Sequence, residues 1–453
     1  MLKRGFLFSI IVTMLMAISV QAQDTVTLRY SLWDTNQLPH YQTCADNFTA
    51  ENPNIVIEIE QLGWDDYWTA ITTGFISGDA PDVFTNHLAK YPEFVELGQL
   101  VDLQPFVEED GVATDIYYEG LAELWTRDGA RFGLPKDWDT VAVIYNAEAL
   151  EAAGIDPEVM NEWTWNPEDG GTFEEVIAQL SIDENGNNGL SADFDAANVA
   201  QYGFSSNGMG GAYGQTEWSM FAVSTGWEFN NGVWGDEYYY DDPRLADTVQ
   251  WFVDLWLEDG YAPTLDEQTG LGRVALFQAG EVAMVIDGSW MIGTYLGSDF
   301  EVGFGRLPVG PEGNTSMFNG LADSIWVGSD HVEESWEWVK YLASIECQTV
   351  IGESGVVFPA IPEAADLSLQ TRADDGIDVS AFTEQAAEGT FLFPITDWGG
   401  EITTIMTETM DSIALGQVDA ESALMDANAE VNDLFREINN RKSYRTFVTG
   451  RAI

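Results

Sequence analysis

The stretch GLPKDWDTVAVIYNAEAL, residues 133–150, decides how the chain is divided. Residues 141–145 are largely apolar, as is typical of a buried strand, and Asn146 is a favourable N-cap for a helix that follows. Four charged or aromatic residues, 136–139, stand immediately before this strand. Such side chains suit the border between two systems of secondary structure better than the interior of one. The stretch therefore predicts a crossover between two lobes.

Upstream of this crossover, the hydrophobic pattern predicts a parallel sheet. Residues 26–32 and 55–59 alternate as strands with a helical pattern between them, and residues 82–84 form a third strand. A βαβ unit of this kind implies parallel strands with helices on the sheet faces. Ligands of such sheets bind beyond the carboxyl ends of the strands. Those ends supply the first group of candidate binding residues: Trp33, Asp34, Trp64, Asp65 and Asn86.

Downstream of the crossover, the pattern predicts a second α/β system. Helical patterns at 173–180 and 243–258 precede a strand at 282–286 that runs into Asp287-Gly288-Ser289-Trp290. Two long helices follow near the C-terminus. A chain of 453 residues exceeds what one hydrophobic core usually supports, so two lobes are expected.

The charge balance excludes one class of partner. The chain has 76 acidic and 17 basic residues and a formal net charge of −59, which would repel nucleic acid. A solubilising acidic surface is the favoured interpretation, and a cationic ligand stays open as the alternative.

The N-terminus has the features of a secretory signal. Two basic residues precede a short apolar run, and small residues stand before a cleavage position after Ala22. We expect residues 1–22 to be removed and the mature protein to be soluble and exported. No Cys follows the apolar run, so the attachment residue of a lipid anchor is missing.

Two cysteines, Cys44 and Cys347, are too few for a disulfide scaffold. One bridge is chemically allowed in an oxidising compartment. Because both residues lie in helix-like patterns far apart in the sequence, two separate buried thiols are favoured.

The order of motifs resembles the extracellular solute-binding proteins of ABC importers, in the group that includes maltose and other carbohydrate binders. The matching text includes FTAENPNIVIEI, ISGDAPDVF, GLPKDWDTVAVIYN, GEVAMVIDGSW and HVEESWEWVKYL, in the order and spacing of that family. The resemblance implies an α/β fold of two lobes, each a mostly parallel sheet flanked by helices (the type II periplasmic-binding-protein fold), with a ligand cleft between the lobes. It also implies an extracytoplasmic location.

By the same likeness, the chain would divide as follows: a first lobe from residues 23–136 and 321–360, a second lobe from residues 137–320 and 361–440, and a basic tail at 441–453. Crossings would lie at residues 133–150, near Asn319 to Ser324, and near Phe358 to Pro362.

The residue types at the cleft suit a sugar. A pyranose presents hydroxyl groups around its edge and C–H groups on its faces, so tryptophan can stack on it while Asp and Asn bind its hydroxyls. Trp290 is the favoured stacking residue. Besides the strand-end group given above, the candidate binding residues are Lys136, Asp137, Trp138, Asp139, Trp234, Asp287, Asn319 and Trp398.

The predicted function is capture of a mono- or oligosaccharide for import, by a monomer that partners the membrane subunits of an ABC permease. No catalytic residues, metal or cofactor are predicted. One loop weakly suggests calcium, through Asp183, Asn185 and Asn187, but its spacing departs from a calcium loop and a turn-rich surface loop is favoured. Two alternatives stay open: a polyamine, peptide or other cation as ligand, and a secreted glycoside hydrolase.

Overall fold

The computed structural model describes the backbone of residues 25–449 and side-chain surroundings as far as residue 436. The predicted signal sequence, residues 1–22, lies outside the described residues, as do the side chains of the predicted basic tail. None of the helices between residues 25 and 449 combines the length and the apolar character needed to cross a membrane.

Fourteen strands lie in the described part of the chain. They are β1 (Val26–Leu32), β2 (Ile55–Gln61), β3 (Val83–His87), β4 (Thr126–Arg127), β5 (Ala130–Arg131), β6 (Leu134–Asp139), β7 (Val141–Asn146), β8 (Ile182–Asp183), β9 (Val199–Ser205), β10 (Val282–Gly288), β11 (Val302–Gly305), β12 (Ser316–Ile325), β13 (Phe358–Pro359) and β14 (Thr390–Leu392).

Seventeen α-helices connect and cover these strands within the same described residues. They are α1 (Leu38–Glu51), α2 (Trp64–Ser77), α3 (Tyr91–Glu96), α4 (Gln104–Asp110), α5 (Ala147–Ala153), α6 (Gly171–Leu180), α7 (Ser219–Val223), α8 (Pro243–Leu257), α9 (Leu265–Leu271), α10 (Arg273–Gln278), α11 (Ile292–Tyr295), α12 (Val332–Leu342), α13 (Ile345–Ser354), α14 (Pro362–Asp374), α15 (Ser380–Glu388), α16 (Gly399–Ala414) and α17 (Ala420–Thr449).

The strands form two principal sheets, one in each lobe. The first has the order β13-β6-β12-β3-β1-β2, with β14 joined to the start of β12, and the second has the order β11-β7-β10-β9-β8. The predicted βαβ unit is present, since β1 pairs in parallel with both β2 and β3. The strand directions are more mixed than the predicted mostly parallel arrangement, because β12 runs antiparallel to β3 and β6, and β7 runs antiparallel to β10.

The predicted crossover at residues 133–150 is a direct link between the two sheets. A single residue, Thr140, separates β6 in the first sheet from β7 in the second. Its hydroxyl donates to the carbonyl of Phe382 at 2.8 Å, and the Ser316 hydroxyl accepts from the backbone N–H of Val141 at 3.0 Å. Strands β6 and β12 therefore meet where the lobes join.

The third crossing differs from its predicted position near residues 358–362. Helix α14 packs on α13 and β13 and so stays with the first lobe, whereas α15 packs on β7 and β11 of the second lobe and, at the junction, also on β12 and β14 of the first sheet. The chain therefore leaves the first lobe between residues 374 and 380. The sequence marks a break at Pro359 and Pro362, but these prolines end a short strand and begin a helix of the same lobe.

The prediction of two separate thiols is wrong, because Cys44 and Cys347 form a disulfide bond. Helices α1 and α13 pack side by side in the first lobe, and the two Cα atoms are 5.4 Å apart. A separation of 303 residues in the sequence gave no sign of this contact, since the chain passes through the second sheet between the two cysteines.

Candidate functional site

A cavity of about 480 Å³ lies where both lobes and the crossing strands meet, a volume within the range of small-molecule sites. Its lining consists of Trp33, Asp34, Thr35, Asn36, Gln37, Trp64, His87, Asp139, Gln215, Arg273, Trp290, Met291, Asn319 and Leu321. Six of the predicted binding residues are among them: Trp33, Asp34, Trp64, Asp139, Trp290 and Asn319. We call this cavity the cleft.

The first lobe contributes an aromatic wall and an ordered turn. Trp33 follows β1 and meets the ring of Trp64 edge to face, with the ring centroids 5.1 Å apart. Trp64 is 42% exposed, an unusual exposure for a tryptophan, and begins α2. Asp34 accepts from the backbone N–H of Asn36 and from the side chain of Gln37, each at 2.8 Å, which fixes the turn between β1 and α1.

The floor of the cleft contains a histidine and an amide from neighbouring strands. His87 is buried at the end of β3, and burial followed by the charge of Lys90 lowers its pKa to about 3, so the ring is neutral. Its Nδ1 accepts from the backbone N–H of Ala89 at 3.0 Å, which leaves the single ring hydrogen on Nε2.

That tautomer fixes the orientation of the Asn319 amide. One end of this amide lies 2.8 Å from His87 Nε2. Since Nε2 carries the hydrogen, the amide must offer its oxygen there, and its NH₂ group occupies the other position; the two orientations share the same heavy-atom positions. Asn319 is only 3% exposed, and no described residue donates a hydrogen bond to this second end. Because buried polar groups need hydrogen-bond partners, an NH₂ group at the cleft wall is suited to donate to a ligand.

Asp139 brings a carboxyl group to the cleft at the end of β6. Its Oδ1 accepts from the hydroxyl of Ser289 in the second lobe at 3.1 Å, and its Oδ2 has no hydrogen-bond partner in the described structure. Burial raises the pKa of Asp139 to about 7, against the lowering effect of Ser289, and the nearby charge of Asp34 adds to the rise.

The second lobe contributes Trp290 and Arg273. Trp290 follows β10, and its ring lies so close to Gly288 that a β-carbon there would stand 2.0 Å from a ring atom. Gly288 therefore permits this ring position. Arg273, at the start of α10, was missed: nothing in its local sequence shows that α10 begins beside the end of β10.

Asp287 does not line the cleft, although it was predicted to bind the ligand. Its carboxylate accepts from Arg273 Nε at 2.9 Å and from the hydroxyl of Tyr295 at 2.8 Å. Glu217 lies 3.4 Å from the same guanidinium. Asp287 therefore holds Arg273 in place, and it faces an adjoining cavity of about 370 Å³ that shares Arg273, Trp290 and Met291 with the cleft.

Lys136 also fails to reach the cleft. The register of β6 against β12 shifts at this residue, because Asp137 pairs with Leu321 while Pro135 pairs with Ala322. The bulge turns Lys136 inward. Its Nζ lies 3.1 Å from the Tyr30 hydroxyl and 3.0 Å from the Thr85 hydroxyl. The same atom lies 3.7 Å from Asp323 and 3.9 Å from the centre of the Tyr41 ring, so Lys136 is surrounded by residues of the first lobe.

Four more of the predicted binding residues belong to β3, α2 and β6 and do not line the cleft. Asp137 is fully buried without a hydrogen bond, and burial, then the charge of Asp139, raise its pKa well above the usual range. Trp138 is 5% exposed and stacks on Phe358 and Phe318 in the core. Asn86 is buried and its Oδ1 accepts from the backbone N–H of His87, and Asp65 is exposed in the first turn of α2.

Trp234 and Trp398 lie at a separate contact between the lobes. Both have a left-handed backbone, with φ of 58° and 66°, which is unusual for bulky residues. Trp234 lies against the guanidinium of Arg127, 4.2 Å from the ring centre, and its Nε1 donates to the carbonyl of Thr126 at 3.2 Å. Neither tryptophan lines the cleft.

The weak calcium candidate has a different organisation. Both oxygens of Asp183 accept from N–H groups, including those of Asn185, Asn187 and Asp195. Although burial would raise the pKa of Asp183, these bonds lower it to about 2. Donors that point at the carboxylate occupy the lone pairs a cation would need, so this loop is a hydrogen-bonded turn. No group of metal-ligating side chains is found in the described residues.

Comparison with known proteins agrees with this geometry. The family model of bacterial extracellular solute-binding proteins matches residues 36–348, more than half of the chain. The lactose-binding protein of Rhizobium radiobacter is 23% identical over 403 residues, covering 85% of this chain and 87% of that protein.

Two solved structures show the same fold. An ABC substrate-binding protein from Listeria monocytogenes, in complex with cycloalternan, has a TM-score of 0.79 at 19% identity and covers 91% of this chain and 99% of that one. A solute-binding protein from Thermotoga lettingae, bound with α-D-tagatose, has a TM-score of 0.74 at 19% identity and covers 91% of this chain and 100% of the other. The predicted two-lobed architecture is confirmed.

Proposed function

Because the chain belongs to the bacterial extracellular solute-binding protein family, we propose that it captures a mono- or oligosaccharide in the cleft and delivers it to the membrane subunits of an ABC importer. It acts outside the cytoplasm as a monomer and performs no chemistry on its ligand. The lactose-binding relative and the sugar-bound structures support this ligand class.

One observation carries the proposal: the cleft combines indole rings with hydrogen-bonding side chains from both lobes. Trp64 and Trp290 stand on different lobes, and each is partly exposed. An aromatic face covers the C–H groups of a pyranose, while Asp139 and the unpartnered end of Asn319 suit its hydroxyl groups. The adjoining cavity behind Trp290 provides room for a second sugar unit.

The link between the lobes supports capture by hinge movement. A ligand that contacts both lobes stabilises the arrangement of the lobes in which both walls of the cleft touch it. Since Thr140 alone separates β6 from β7, small dihedral changes near this residue would rotate one lobe against the other.

A ligand-shift screen tests the function. We expect a saccharide to raise the melting temperature of the protein, and mass spectrometry to recover that saccharide unchanged. A matched variant, Trp290→Ala, should lose most of the shift. Hydrolysis of the saccharide on the timescale of binding would favour the glycoside hydrolase alternative, and a panel in which only peptides give a shift would contradict the sugar assignment.

A further inference from the structure

The charges that line the cleft do not balance. Asp34 and Asp139 bring two carboxyl groups, and Arg273 brings the one basic side chain of the lining. His87 lines the cleft as a neutral ring. The net charge that a ligand meets in the cleft therefore depends on whether the positive charge of Arg273 is free to offset the two carboxylates.

Arg273 is already matched by acids of its own lobe. Its Nε lies 2.9 Å from Asp287, its Nη1 lies 3.4 Å from Glu217, and the three side chains are between 2% and 11% exposed. At least one negative charge therefore offsets Arg273 before it can act on Asp34 or Asp139. The guanidinium also donates to the carbonyl of Ile286 at 2.9 Å, which further fixes its direction.

The nearest lysines do not supply the missing cation. Lys136 is enclosed by Tyr30, Tyr41, Thr85 and Asp323 beneath the first sheet. Lys90 lies 5.8 Å from the centre of the Trp68 ring and is not part of the lining. Within the described residues, Asp139 thus has a hydroxyl partner, Ser289, but no ion pair.

Two side chains at this place each have an end that receives no hydrogen bond. Asp139 is 3% exposed and its Oδ2 accepts no hydrogen bond in the described structure, and no described residue donates to the second end of the buried Asn319 amide. Both residues line the cleft. A buried carboxyl without a cation, beside a buried amide that lines the same cavity, points to a ligand that supplies a positively charged donor.

We propose that the captured saccharide carries an ammonium group, and that this group pairs with Asp139. The inference rests on the proposed function and specifies its substrate class: an amino sugar, or an oligosaccharide that contains one. Tryptophan rings in the same cleft suit this class, since their faces attract both the C–H surface of the sugar and a nearby cation.

Matched pairs of sugars test the proposal by calorimetry at pH 7.5. Each pair differs in charge at one type of position: glucosamine and glucose, galactosamine and galactose, deacetylated chitobiose and cellobiose. In at least one pair we expect the amino member to bind at least tenfold more tightly, as a charge-assisted contact would produce. Asp139→Asn should reduce this preference to near unity. Asp66→Asn, which removes the same charge from an exposed position on α2, should preserve it.

The outcomes separate this proposal from the function on which it rests. If the neutral member of every bound pair binds as tightly as the amino member, the ammonium group is excluded and saccharide capture stands. If the Asp139→Asn variant still prefers the amino sugar, Asp139 does not cause the preference and the proposal fails. If no sugar binds but spermidine does, the proposed saccharide function fails as well. Should Asp139→Asn not fold, the pH dependence of the wild type provides the second measurement: protonation of Asp139, whose pKa is about 7 in the free protein, should weaken the preference at pH 5, and a preference that is undiminished there would overturn the proposal.

Discussion

Arg127 and Asp397 join the two lobes through a two-pronged ion pair, with both nitrogen–oxygen distances at 2.8 Å. Arg127 belongs to the β4–β5 hairpin of the first lobe, and Asp397 directly precedes Trp398 and α16 of the second. Trp234 covers the guanidinium on one side. This contact lies outside the cleft lining, so the lobes are held together at a second place besides the crossing strands.

Removal of this ion pair should cost a modest amount of stability. The two side chains are 20% and 27% exposed, so solvent screens them in part. We expect Arg127→Gln and Asp397→Asn each to lower the free energy of unfolding by about 1 kcal/mol, and the double variant to lower it by less than the sum. Urea unfolding of the four proteins measures this coupling. Strict additivity of the two changes would show that the pair contributes nothing.

The disulfide bond should stabilise the protein without taking part in binding. Cys44 and Cys347 close a loop of 303 residues, for which the loss of unfolded-chain entropy predicts about 5–6 kcal/mol. Cys44→Ala with Cys347→Ala should therefore lower the melting temperature strongly, while the folded variant retains its ligand affinity because neither residue lines the cleft. A melting temperature that does not respond to the double substitution or to a reducing agent would contradict the bond.

Stability of the ligand-free protein should fall as the pH rises towards neutrality, through Asp139. Its pKa is about 7 in the folded protein and near 3.8 in the unfolded chain. A carboxyl group with a raised pKa favours folding below its unfolded pKa, and this advantage is lost as pH rises through the folded value. The groups that face it are Asp34 and Asp137, both acidic, and the hydroxyl of Ser289.

Asp139→Asn isolates this effect, since an amide cannot ionise. We expect the variant to match the wild type near pH 4 and to exceed it by about 2–4 kcal/mol at pH 8. Denaturant unfolding at several pH values gives the difference, and Asp66→Asn serves as the exposed control. A difference that does not grow between pH 4 and pH 8 would mean that Asp139 titrates normally.

Local patterns in the sequence predicted much of the fold. The alternation in β1 and β2, the cap at Asn146 and the apolar run of β7 are set by neighbouring residues, and the structure contains all of them. Of the residues predicted at strand ends, Trp33, Asp34 and Trp290 line the cleft, because the ends of β1 and β10 lie beside it. The order of strands and helices in the sequence is enough to infer that the carboxyl ends of parallel strands lie at the same edge of a sheet.

The failures come from contacts that no local pattern records. Lys136 turns inward because the register against β12 shifts at that residue, and β12 lies about 180 residues later in the chain. Arg273 reaches the cleft through the packing of α10 beside β10, and Cys44 meets Cys347 through the packing of α1 on α13. Each of these depends on which elements become neighbours across the chain, so the residue types alone could not reveal it.

Trp290 and Trp138 provide the sharpest test of the cleft, because both were candidate binding residues, with Trp290 favoured, and they have opposite surroundings. Trp290 lines the cleft and is only partly buried, whereas Trp138 is 5% exposed and stacks on Phe358 with ring centroids 5.0 Å apart. Trp290→Ala should weaken saccharide binding by about 1–3 kcal/mol, or roughly tenfold to a hundredfold, and leave the ligand-free melting temperature nearly unchanged. Trp138→Ala should instead lower the free energy of unfolding by about 3–5 kcal/mol, because it opens a void in the core. Calorimetric titration and thermal unfolding of both variants separate the two roles. A Trp290→Ala protein that unfolds early yet binds with wild-type affinity would place Trp290 in the core and remove it from the binding site.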